Sequence, residues 1–390
     1  MTINFLTETN KISVWLLVLM SFCINLPTAF MSISFGLFLI FFILSVNKKT
    51  PSNLVLTNPG ALIALLLLLL YCLGTIYSSA PINESIHYLK KYDKLILIPI
   101  IIVVVRLEKY RKYAINAFLI SSTLYLLVSY LNFFGIFNFG VMRHGILFSL
   151  AMYMMMTRAK QTIRWHRVTW IGLAVLTFLN ILFICDVRTG QITSLALLML
   201  FSFENWGIKS LKYWLGLIML AVIFIQVTHN LPSSRLTNIK QEIAAHHSDG
   251  QQTSAGQRLE MYRNTLTLIK KHPIFGGGTG SLPNEYLSLI ENSKTLLTRV
   301  TNPHNQYLIT TQELGLLGLF VLLAFWTVHW KQSYQLPNKE FGSGLRALIL
   351  MMTVGSLFNS LLLDSGEGKA YCILAGIFLS SYESKKQCYR

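Results

Sequence analysis

Apolar runs of about 15 to 20 residues recur from one end of this sequence to the other, the spacing of helices that cross a lipid bilayer. Lipid offers the backbone no hydrogen-bonding partner, so runs of this length fold as helices that satisfy their own amides. Composition agrees. The chain is 53% hydrophobic and 13% charged, with mean hydropathy +0.52; a soluble domain carries roughly 25% charged residues. The expected fold class is therefore all-α, a polytopic integral membrane protein. Apolar length and polar breaks mark about twelve spans, from Ile12–Leu26 to Ala370–Tyr382. The fourth, Leu95–Val105, is short and can extend outward through YLKKYDK. The first run is read as a retained helix rather than a cleaved signal peptide, because another run follows it almost at once.

The formal charge of +17 does not by itself imply nucleic acid. Cytoplasmic loops of membrane proteins collect Lys and Arg. With the N-terminus inside, the cytoplasmic segments hold about 19 basic residues and the short outer loops about 6, as the positive-inside rule requires. Both termini are then cytoplasmic, and no nucleic-acid partner is expected. Five cysteines (Cys23, Cys72, Cys185, Cys372 and Cys388) show neither a disulfide framework nor zinc spacing.

One connection breaks the pattern. Residues 1–229 carry nine spans, and 304–390 carry three spans and a short tail. Residues 230–303 between them have little membrane character and lie on the outer side. Long connections are uncommon unless functional, so the chemistry is expected here. Within it, SAGQRLEMYRNTLTLIKKHP reads as an amphipathic helix. Ser254 and Gln257 have capping-box spacing, Leu259, Tyr262, Leu266 and Ile269 form one apolar face, and Pro273 stops the helix. The glycine run FGGGTGS follows.

NPHNQYLITTQELGLLG, Asn302 to Gly318, begins polar and ends as a span. Asn302 is a good N-cap and Pro303 a good first residue, which would put His304 in the first helical turn. The positive end of the helix dipole disfavours imidazolium there, leaving a neutral ring able to accept a proton. Gly315 and Gly318 would let a neighbouring helix approach closely. In CDVRTG, Arg188 sits at the outer end of a span, where a charge is costly and suggests function. Arg258 lies in the first turn of the loop helix. Asp364 ends another span, and Arg143 lies on the outer face. Gly276–Gly280 lacks the strand context of a dinucleotide fingerprint. His246, His247 and Asp249 in a polar linker are weak metal candidates. No metal and no cofactor is expected.

These residues resemble the bacterial O-antigen ligase family, in the wider group that also holds O-antigen polymerases and O-oligosaccharyltransferases. The family signature H-[NSQ]-x9-G-x-x-[GTY] is matched by His304, Asn305, Gly315 and Gly318. Arg188 in RTG and Arg258 in SAGQRLEMY match its two arginine positions; Tyr262 stands where Trp is frequent. Asp364 resembles an acidic residue after the penultimate span. The resemblance implies a membrane-embedded, GT-C-like inverting glycosyltransferase of the inner membrane, working at its periplasmic face without metal or nucleotide. The donor would be O-antigen on undecaprenyl pyrophosphate and the acceptor a hydroxyl of the lipid A core. Arg188 and Arg258 would stabilise the leaving pyrophosphate, and His304 or Asp364 would take the proton. Asn305, Arg143 and Tyr262 would contact substrate. A polymerase or oligosaccharyltransferase using the same donor is an alternative, as is a lipid-linked sugar flippase, although transporters often show repeated halves.

Overall fold

The computed structural model describes residues 2–45, 53–136, 145–185, 187–215, 254–291 and 300–382. Every regular element among them is helical. In chain order these are α1 (Thr2–Cys23), α2 (Thr28–Ser45), the short α3 (Asn53–Leu56), α4 (Pro59–Gly74), α5 (Ile82–Leu89), α6 (Leu97–Val104), α7 (Glu108–Phe133), α8 (Gly145–Gln161), α9 (Arg164–Phe183) and α10 (Arg188–Trp206). Then come α11 (Ser254–Lys271), α12 (Leu282–Ile290), α13 (Gln306–Ser333), α14 (Lys339–Gly355) and α15 (Ser365–Leu379). Most of the span expected at 213–228 and residues 230–253 and 292–299 of the long connection lie outside the described residues, as do Arg143, His246, His247 and Asp249.

Among the described residues four helices, α2, α7, α9 and α13, are long and apolar enough to cross a membrane. Shorter apolar helices occupy Lys11–Cys23 and Pro59–Gly74. α2, α9 and α13 carry large apolar side chains on their outside, among them Ile33, Ile43, Val175 and Phe320. Apolar surface on this scale is at home against lipid rather than water. The chain is a helical membrane protein.

The centre of the bundle is α15, in which every residue from Ala370 to Leu379 is buried. It packs on α6 and α14, while α4 lies along α13 and α10 along both α8 and α14. Three helix starts are fixed by asparagine. Asn58, Asn305 and Asn338 each accept a hydrogen bond from an amide of the helix that follows, meeting donors the helix cannot satisfy itself. The short fourth span is preceded by a broken helical path, α5 and a 3₁₀ turn at Asp93–Ile96.

α13 is broken at Gly315, which takes φ 66° and ψ −164°, a region open essentially to glycine alone. The glycine run after α11 fills the break. Gly277 N and Gly278 N donate to Gln312 O and Glu313 O (2.8 and 2.9 Å), and Leu316 N donates to Pro273 O (2.8 Å). The loop thus satisfies the carbonyls that end the first half of α13 and an amide that starts the second. A Cβ on Gly315 would stand 2.1 Å from Ile274 O. The expectation of close helix–helix packing at these glycines is therefore corrected. Gly315 receives a loop backbone, and Gly318 sits under the Leu314 side chain across the break.

The loop helix α11 forms as expected, but with a different inner face. Met261, Thr265 and Leu268 are buried, whereas Leu259 and Leu266 are exposed. The helix has two apolar stripes, and α13, against which it packs, takes the one that includes the small Thr265. Tyr262 and Ile269 lie half-buried at its edge.

Candidate active site

The 356–364 segment between α14 and α15 is the hub of the site. Its carbonyls, amides and side chains reach several of the expected functional residues or their immediate neighbours. Leu357 O accepts from Asn305 Nδ2 (3.0 Å) and lies 3.1 Å from the Tyr262 hydroxyl. Ser360 Oγ donates to Asn302 Oδ1 (2.7 Å). Leu362 N and Leu363 N both donate to Gln306 Oε1 (2.9 and 3.2 Å). Asn359 Nδ2 donates to Thr189 Oγ1 (3.4 Å), the residue after Arg188.

His304 does not lie in the first turn of α13. The helix begins two residues later, with Asn305 rather than Asn302 as its cap: Asn305 Oδ1 accepts from Leu308 N at 3.0 Å. Asn302 is instead engaged by Ser360 and by His304 N, which donates to its Oδ1 at 2.8 Å. His304 takes φ 55°, a left-handed conformation uncommon outside glycine and held only where the surroundings impose it. Its carbonyl accepts from the Tyr262 hydroxyl at 3.2 Å. Both backbone polar groups of His304 are tied, and the imidazole remains for other work.

Burial pushes the His304 imidazole below its ordinary pKa, and the Arg258 guanidinium lowers it further. Both effects disfavour imidazolium, and they come from burial and a neighbouring cation rather than from the first turn of a helix. Arg258 and Tyr262 are four residues apart on α11 and so share a face. Tyr262 is held above the usual phenol range by burial, against the hydrogen bond from Asn305 and the charge of Arg258. Arg258, Tyr262, His304 and Asn305 are therefore one cluster.

Arg188 is the first residue of α10 and is exposed. Gly190 presses the start of this helix onto the start of α8, where an added Cβ would stand 2.7 Å from Gly145 C. Asp364 lies just before α15. Burial raises its carboxyl to about 6, with Glu367 raising it further and Lys94 and Lys91 opposing. Lys94 is itself buried and donates to Asp364 O at 2.6 Å. Among the described residues, no group of three His, Cys, Asp or Glu side chains is placed to hold a metal ion.

One buried acid escaped the sequence reading. Glu313, fully buried at the break in α13, accepts from Gly280 N (2.9 Å) and the Tyr92 hydroxyl (3.3 Å). Tyr92 stacks on Tyr71, whose hydroxyl meets Thr310 Oγ1. A carboxylate inside an apolar run was the available signal, since charge at membrane depth is costly.

Fold and site together define a helical membrane protein with a basic, histidine-bearing cluster at one end of its bundle. Residues 172–323 match the family described as O-antigen ligase. That segment contains Arg188, Arg258, Tyr262, His304, Asn305 and the broken part of α13, and over it the chain is similar to the O-antigen ligase family. Members of that family are glycosyltransferase-like enzymes of the ligase and polymerase type. No curated protein matches the chain.

Proposed function

We propose that the protein is an O-antigen ligase. It would transfer O-antigen from undecaprenyl pyrophosphate to a hydroxyl of the lipid A core at the periplasmic face of the inner membrane. The supporting observation is the geometry of His304: its left-handed backbone is tied at both ends, and burial and the charge of Arg258 disfavour protonation of its ring. In this reading the acceptor oxygen attacks the anomeric carbon while the bond from that carbon to pyrophosphate oxygen breaks, with inversion. The hydroxyl proton passes to His304, and the developing pyrophosphate charge is met by Arg188 and Arg258. An Arg fork suits phosphate oxygens better than Lys does. α10, α13 and α15 all start around the 356–364 hub, so their positive dipole ends favour the same anion. Tyr262 and Asn305 hold the hub through Leu357 O and border the acceptor. Asp364, near 6, is the second candidate base, and Arg143 is a further candidate for contact with substrate. The reaction needs neither metal nor nucleotide in this scheme. The chain would cross the bilayer about twelve times, with both termini cytoplasmic.

The product identifies the acceptor. Purified protein is mixed with undecaprenyl-pyrophosphate-linked O-antigen and rough lipopolysaccharide, in EDTA and without nucleotide. The proposal expects a ladder on lipopolysaccharide. Longer lipid-linked chains from lipid-linked repeats, with no ladder, would make the protein a polymerase.

A further inference from the structure

A cleft of about 570 Å³ opens between α8, α9 and α10, within the size range of ligand pockets, about 300–1,000 Å³. Its walls are apolar and include Met156, Val175, Phe178 and Leu198. Ile171 and Val175, on its α9 side, are 46% and 51% exposed, so the cleft is open sideways where a membrane-spanning helix faces lipid. One end is different: Lys160, Arg167, Asn205 and Trp206 line it. Lys160 Nζ donates to Asn205 Oδ1, which uses one of the three donors of an ammonium. The two carboxylates near this end are already engaged, Glu204 by Arg346 and Glu340 by Arg158.

The basic end is built rather than incidental. α8 and α9 are joined by Thr162 and Ile163 alone, and Arg164 then takes φ 51°. A non-glycine residue holds that conformation only when its surroundings impose it. The tight turn sets Lys160 and Arg167 at the same end of the cleft. Trp165 and Trp206 are exposed there, as aromatic side chains are at membrane–water interfaces.

We propose that this cleft binds an anionic phospholipid, its phosphate held by Lys160 and Arg167 and one acyl chain lying between α8, α9 and α10. Basic pockets between membrane helices recognise acidic lipid headgroups in this way. The donor lipid is a poor occupant. Its pyrophosphate belongs with Arg188, and Asn205 lies 17 residues further along α10, about 26 Å at the helical rise. The inference rests on the chain lying in a bilayer and not on the chemistry assigned to His304; only the exclusion of the donor lipid rests on the role proposed for Arg188.

The test is native mass spectrometry of the full chain in detergent, titrated with phosphatidylglycerol or with phosphatidylcholine of the same acyl chains. Wild-type protein is expected to retain phosphatidylglycerol at least about fivefold more tightly. Lys160→Gln with Arg167→Gln removes that preference and leaves phosphatidylcholine retention unchanged. Val175→Trp, an outward-facing position that fills the cleft without touching the fold, lowers retention of both, with an unchanged unfolding temperature as the control. Equal retention of phosphatidylglycerol by wild type and the double variant would overturn the proposal. So would displacement of the lipid by inorganic phosphate, which would reduce the cleft to an ion site, or loss of the lipid on Arg188→Gln, which would place it in the donor site.

Discussion

His304 is a residue whose backbone is spoken for so that its ring is not. Its amide goes to Asn302, its carbonyl to Tyr262, and burial together with the charge of Arg258 disfavours imidazolium. A general base works only in its unprotonated form. Activity should therefore hold at neutral pH and fall as pH drops through the lowered pKa of His304. Arg258→Gln removes a cation that disfavours imidazolium, so the acidic limb of the rate–pH profile should move up. Arg258→Lys keeps the charge and should leave the limb in place, while lowering the rate because the bidentate fork is lost. Normalised transfer profiles of the three proteins check this; an unmoved limb in Arg258→Gln would detach Arg258 from His304. The residue types of the site were legible in the sequence because loops at the ends of spans had no packing reason to carry His and Arg. The local backbone was not. Asn302 and Asn305 are equally good caps by propensity, and the choice fell to Asn305 because Ser360, a residue far along the chain, takes up Asn302.

Among the elements, α13 decides how the site is held. The first half carries the cap of Asn305 and the hub contact of Gln306; the second half crosses toward the other side; the glycine loop joins them. Gly315→Ala would put a Cβ in a glycine-only region and 2.1 Å from Ile274 O. The conformational strain alone costs about 1–3 kcal/mol, and the clash adds to it. Thermal unfolding in detergent should show a clear fall in midpoint, together with loss of transfer. An unchanged midpoint would mean that the loop does not thread the break. A glycine within an apolar run reads as a packing residue, and nothing local distinguishes that from a break, since the partner is a loop about forty residues earlier. The inner face of α11 was misjudged for a related reason: two apolar stripes were available and only the shape of α13 chose between them. The existence of α11 itself, and its end before Pro273, followed from the sequence.

For the whole molecule, apolar length and charge asymmetry were enough to give an all-helical membrane protein, because lipid leaves few alternatives. They did not show that α14, α15 and the 356–364 segment are the centre around which the site is arranged; buried helices that are apolar all round carry no directional pattern. The orientation has its own test. In spheroplasts a membrane-impermeant maleimide should label Leu259→Cys, exposed on α11, and leave Cys388 in the tail unlabelled until the membrane is opened. The reverse pattern would turn the molecule over and separate the site from its substrates. The measurement that bears most directly on the central claim is single-turnover transfer of lipid-linked O-antigen by wild type and by His304→Ala, with equal insertion and equal unfolding temperature. Loss of a positioned base should slow transfer by about 10²–10⁴-fold. A variant that transfers at the wild-type rate would contradict the account and move the chemistry away from His304.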